Sequence, residues 1–140
     1  MPKFILTDGY VEIATVDLSD HAHSLDTPQE KERVDVSGFN SAGTSEFLPG
    51  AKTESCEIGF RSNFAASKVH ATLQPLIGSS TGFTLEIRPT NSARSTTNPA
   101  YLMTALLFNY NMLDGKVGDA SSMSAEFVNA AQAGVTYPTA

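Results

Sequence analysis

Tryptophan is absent from this 140-residue chain, and cysteine occurs once, at Cys56. Nine Lys and Arg stand against fifteen Asp and Glu, which leaves a net charge of −6 and a pI near 4.9. Each scarcity excludes something. One cysteine cannot close an internal disulfide, so the fold draws no support from an oxidising compartment. The shortage of bases argues against gripping nucleic acid, because phosphate binding runs on Lys and Arg. No run approaches the roughly 20 apolar residues of a membrane span. The N-terminal MPKFILTDGYVEIAT is apolar for only a few residues before Asp8, which is not a signal-peptide pattern. Gly-rich phosphate loops, G-x-S-x-G and H-E-x-x-H are all missing. No pair of acids stands out as an acid/base couple, so no catalytic residue is assigned and no cofactor is expected.

What remains is a chain able to build one core. At 41% hydrophobic residues it is too apolar for disorder and of a length for one domain, residues 1–140. Its most organised stretch is Ala51–Pro89. In Ala51–Phe60, Cys56, Ile58 and Phe60 alternate with Thr53, Ser55, Glu57 and Gly59. In Gly82–Pro89, Phe83, Leu85 and Ile87 alternate with Thr84, Glu86 and Arg88. Period-2 alternation predicts strands with one buried and one wet face. Cys56 lies on the apolar face and reads as a small buried hydrophobe. Glu54 falls with the apolar set, near the strand start.

Between these strands, Ser67–Gly78 carries Val69, Leu73, Leu76 and Ile77 at helical spacing, with Ser67 as N-cap and Gly78 as the C′ residue. Pro75 conflicts with an uninterrupted helix, so the helix stops near Thr72 or finishes as a looser turn. His70 reads as a surface residue beside the apolar stripe.

Further strands are expected at Tyr10–Leu18, at Glu30–Ser37 with Val34 and Val36 inward, at Tyr101–Leu113, and at Ser121–Ala131. Asp114–Gly115 suits a two-residue hairpin turn joining the last two. Ser19–Gln29, Gly38–Gly50 and Asn91–Pro99 read as loops, and residues 1–9 as an N-terminal arm. The expectation is a mainly β domain: a β-sandwich or partly closed barrel of about six to seven antiparallel strands with one short flanking helix.

Two features invite a functional reading. His21 and His23, in Asp20-His21-Ala22-His23, are the only candidates for a metal site, and no Cys or further His supplies a distant third ligand. Residues 38–50 keep Phe39, Phe47 and Leu48, with Pro49, in a loop, which points to packing against something. The charge is also uneven. Met1–Phe60 holds eleven acids and four bases, net −7, while Arg61 onward holds four acids and five bases, net +1.

The order of these features, over about Val34–Val135, resembles the major tail tube proteins of long-tailed, siphovirus-like bacteriophages. The resemblance rests on Leu48-Pro49-Gly50 before a strand, the helix SKVHATLQPL, a strand ending Ile87-Arg88-Pro89, the step Thr97-Asn98-Pro99-Ala100-Tyr101 into a long strand, and the turn Gly115–Asp119. It implies a structural virion protein, assembled in the host cytoplasm, whose subunits form hexameric rings that stack into a hollow tube. The subunits' sheets would join into one inner barrel. Long loops, with Phe39, Phe47, Leu48 and Pro49, would bridge subunits. Partners would be further copies, a tape measure protein, and terminator and tip proteins. DNA would pass through an acidic bore during ejection without specific binding, and by alternation Glu57, then Glu86, are the lumen-facing candidates. The alternatives are a tail terminator, connector or capsid decoration protein, or a β-sandwich carbohydrate- or ligand-binding module, which the lack of Trp disfavours.

Overall fold

The computed structural model describes residues 4–39, 42–130 and 134–140. Eight strands run in the order β1 (Tyr10–Ile13), β2 (Val16–Asp17), β3 (Ala22–Asp26), β4 (Gln29–Asp35), β5 (Phe47–Arg61), β6 (Phe83–Arg88), β7 (Tyr101–Asp114) and β8 (Ser122–Asn129). One short helix, α1 (Val69–Leu73), lies between β5 and β6. The strands form an antiparallel sheet in the order β2-β1-β6-β7-β8-β5-β3, with β4 also paired to β5. The sheet is not closed. The two strands of Ala51–Pro89 are therefore not neighbours, since β7 and β8 lie between them.

Alternation sets the core. Val11 and Ile13, Leu85 and Ile87, Met103, Ala105 and Leu107, Met123, Ala125 and Phe127, and Cys56, Ile58 and Phe60 all point to one face and are buried. The helix covers that face through Val69 and Leu73, both fully buried. Each such side chain contributes about 1.5–3 kcal/mol by leaving water. Pro75 shapes the end of the helix. The α-helix stops at Leu73, and Gln74–Leu76 continues as a 3-10 turn, where Pro75 sits in the first turn and loses no helical donor. Gly78 takes φ +74 and donates its N–H to Leu107 O, as a C′ glycine should. Ser67 is not the N-cap. It has φ +61, and Lys68 occupies the cap position without a side-chain cap bond.

Several strand expectations need correction. Tyr10–Leu18 is a hairpin rather than one strand. Ala14 and Thr15, at φ 50 and 69, form a two-residue turn between Ile13 and its partner Val16. Ser19–Gln29 contains β3, which pairs with β5 through a bulge at His23. The loop assigned to residues 38–50 is shorter than expected. Phe47, Leu48 and Pro49 belong to β5, opposite Asp35, Val34 and Arg33. Every residue of β4 is exposed, so Val34 and Val36 do not point into a core. β7 and β8 do pair antiparallel, but residues 115–121 connect them, so Asp114–Gly115 is not a two-residue turn. Among the described residues of the N-terminal arm, 4–9, there is no strand. Residues 1–3 of that arm, 40–41 of the loop and Ala131 at the end of the last expected strand lie outside the described residues.

Candidate functional site

The face of the sheet opposite the core carries a row of acids. β5 pairs Glu57 with Asp26 of β3 on one side and with Glu126 of β8 on the other, and Glu126 pairs with Asn109 of β7. Directly opposed residues share a face, and neighbouring strands are about 4.8 Å apart. Three carboxylates therefore stand side by side, all exposed. Among the described residues no Lys or Arg lies within ion-pair distance of any of them. Opposed like charges destabilise a sheet, so the row adds nothing to the stability of the fold. Glu57 is where alternation placed it. Asp26 and Glu126 were not linked to it, because only the long-range register brings them together.

A second row crosses the same face. Asp17 pairs with Glu12, and Glu12 pairs with Glu86. Here the acids are occupied. Glu86 is 6% exposed, and Oε1 accepts from Arg94 Nε at 2.6 Å, with Nη2 at 2.5 Å. Arg94 is carried by the loop after β6, which Asn98 organises. Asn98 Nδ2 donates to the carbonyls of Ser92 at 2.9 Å and Ala93 at 3.2 Å, and Oδ1 accepts from Thr90 N–H at 3.0 Å. Glu12 accepts from the Tyr10 hydroxyl, and that bond, followed by burial, pushes the Tyr10 pKa up to about 12. Glu86 thus lies on the same face as Glu57 but carries no bare charge, because it is buried and paired.

The third element is a two-stranded ribbon. Gln29 opposite Glu54 keeps the register of Asp26 opposite Glu57, so β3 and β4 follow one edge of β5. Only Ser55–Arg61 of β5 pair with β8, so Phe47–Glu54 have no strand partner on that side among the described residues. A lone two-stranded ribbon is marginal in water. This one exposes Val34, Val36, Phe47 and Leu48, and Phe39 at its tip is fully exposed. Arg33 covers part of Phe47, its guanidinium 5.1 Å from the ring centre. The far end of β7 behaves alike. β6 runs beside it only as far as Ala105, one bridge reaches Leu107, and Phe108, Met112, Leu113 and the nearby Val117 are exposed. Open edges and apolar patches on this scale are surfaces that await a partner.

Catalytic and metal chemistry find no such arrangement. His21 Nε2 lies 3.4 Å from Asn63 Nδ2, and His23 packs on β3 beside Gly59. Among the described residues no three His, Cys, Asp or Glu gather where they could hold a metal. Burial pushes the Cys56 thiol up to about 12, with Asp26 and Glu57 adding to the rise, so it is no nucleophile at neutral pH. His70 Nδ1 lies 2.9 Å from the Tyr110 hydroxyl, a packed contact rather than a free surface ring.

The fold is an open antiparallel sheet with an acidic face, unpaired edge segments and an apolar ribbon. Solved structures of assemblies contain the same fold. A chain in the tail of an empty gene transfer agent particle, determined by helical refinement with C6 symmetry, matches with a TM-score of 0.64 at 12% identity, over 84% of this chain and 82% of that one. A chain in the virion of the native gene transfer agent particle matches with 0.72 at 10% identity, over 94% and 95%. A chain in the sheath-tube complex of an extracellular contractile injection system, in its extended state, matches with 0.71 at 9% identity, over 99% and 93%. No family model and no curated protein matches the chain.

Proposed function

We propose that this chain is the structural subunit of a phage tail tube, of the long-tailed siphovirus-like kind. Copies assemble into hexameric rings, and the rings stack into a hollow tube that conducts DNA during ejection. The observation that carries the proposal is the bare row Asp26–Glu57–Glu126 on the open face of a sheet whose fold recurs in a tail and in a sheath-tube complex. Turned inward, that face gives an acidic bore. Phosphates are repelled along it, and the polymer slides without sticking, because adhesion needs Lys and Arg. Ring closure removes the open edges of β5 and β7 by pairing them with neighbouring copies. The ribbon residues Phe39, Phe47, Leu48 and Pro49 then bury their apolar surface between subunits. The product is a virion component made in the host cytoplasm, which meets a tape measure protein inside and terminator and tip proteins at its ends.

Negative-stain microscopy of the purified protein tests this. Hollow tubes or six-fold rings are expected. A discrete monomer that persists at high concentration overturns the proposal. The ribbon has its own test. Phe47→Asp with Leu48→Asp leaves the subunit folded, since both side chains are already exposed, and abolishes tubes by the same microscopy.

A further inference from the structure

We infer that Glu54 is a positioning residue, a latch that fixes the ribbon to the C-terminal segment and sets the angle at which the ribbon leaves the sheet. Its role in assembly rests on the tail tube reading, but the latch itself belongs to the single subunit. Glu54 is 4% exposed, on the core side of β5, at the point where pairing with β8 has just ended. A buried carboxylate at that point is stable only if hydrogen-bonded and paired. Its donors come from both strands of the ribbon and from the chain's end. Gln29 Nε2 of β4 donates to Oε2 at 3.1 Å, Lys52 Nζ lies 3.4 Å from Oε2, and Val135 N–H donates to Oε2 at 2.9 Å.

The C-terminal segment is anchored in turn. Thr136 and Leu102 exchange backbone hydrogen bonds at 2.9 and 3.0 Å, Ala100 N–H donates to Pro138 O at 3.0 Å, and Val135 is buried. Tyr137 meets Tyr101 edge-on, and the Tyr101 hydroxyl donates to Ser55 O at 3.3 Å, one residue from Glu54. Gly134 has φ +75, and a Cβ there would collide with Glu54 Oε1. The segment therefore approaches the carboxylate as closely as backbone can. The ribbon has a natural break at the same level, because Thr27 and Pro28 interrupt the strand between β3 and β4. Among the described residues no strand covers the β8 side of Phe47–Glu54, the β3–β4 edge on the other side is interrupted at the same level, and Glu54 is the polar tie that stops the ribbon swinging.

Hydrogen exchange of the dilute subunit reads this directly. In Glu54→Leu, amides of residues 29–35, 47–53 and 134–138 should exchange about tenfold faster or more, since bonds to a charged group are lost at all three places. Amides of 103–107 and 123–128 should keep their protection. Gly134→Ala attacks the same contact from the other side and should loosen the same three segments. Glu54→Gln, which keeps an acceptor, should fall between wild type and Glu54→Leu. If Glu54→Leu does not fold, the milder pair decides. Unchanged exchange, a rise spread evenly through the core, or loosening of the ribbon without residues 134–138 would overturn the latch. Microscopy of wild-type tubes is independent of this result, so failure of the tail tube reading and failure of the latch are told apart.

Discussion

Two rows of three acids cross one face of one sheet, and the fold treats them in opposite ways. In Asp17–Glu12–Glu86 the acids are answered, and Glu86 is buried, while Glu12 is half-buried and Asp17 exposed. Arg94 neutralises Glu86, a hydroxyl engages Glu12, and an ordered loop built on Asn98 brings the arginine to its place. Asp26–Glu57–Glu126 is left open, with no cation within reach among the described residues. The two rows are alike in kind, since both are in-register carboxylates on adjacent strands. The difference lies in what the flanking loops deliver. Glu86, the buried member of the first row, carries an ion pair, whereas the exposed second row carries none among the described residues.

Breaking the paired row should have the largest effect on the subunit. Arg94→Met strands Glu86 in a buried site, and we expect a loss of about 3 kcal/mol of stability, measured by urea unfolding. The open row should respond in function instead. Reversing it with Asp26→Lys, Glu57→Lys and Glu126→Lys together should change stability by less than about 1 kcal/mol and leave tubes intact. The reversed tubes should retain short duplex DNA that passes wild-type tubes, and added salt should release it. Retention of DNA by wild-type tubes would contradict an acidic, non-adhesive bore.

A smaller effect sharpens the contrast. Glu57→Gln relieves repulsion on both sides and should gain about 0.5 kcal/mol at low salt, a gain that fades in 1 M salt. The same substitution at Glu86 should not stabilise, because its charge is already answered by Arg94. A pH-dependent effect lies on the core side of β5. The Cys56 thiol is raised to about 12 by burial, then by Asp26 and Glu57. Its contribution is present below the usual thiol pKa of 9.0 and is lost as pH rises from there towards 12, because the unfolded chain ionises first. Thermal unfolding between pH 8 and pH 10 should show that decline, and Cys56→Val should lessen it, leaving the share of Tyr10, whose pKa is raised as well.

How much of the fold and site was legible in the sequence depended on whether the signal was local. Alternation in Ala51–Phe60 and Gly82–Pro89 placed Cys56, Ile58, Leu85 and Ile87 in the core and Glu57 on the open face, and it set Glu54 with the apolar residues. Pro75 within the helical stripe left two outcomes, of which the structure takes the looser turn. The hairpin at Ala14–Thr15 was not legible, because neither residue is a Gly or Asn, and the positive φ values are held by neighbours such as the Ala14 N–H bond to Thr84 O. β3 was hidden for a similar reason. His23, Ser24 and Asp26 are not strand formers, and only β5 makes a strand of them. Asp26 was lost from the acidic row for that reason. Phe47–Pro49 looked like loop because Pro49 and Gly50 punctuate it, yet Pro tolerates a ribbon edge that no third strand covers.

The function of the bare row depends on which way the open face points. A helical reconstruction of assembled tubes measures this directly. The expected result is Asp26, Glu57 and Glu126 of every copy facing the bore, with α1 outside. Tubes in which that row faces the outer wall, or lies sealed between subunits against lysine or arginine, would contradict it.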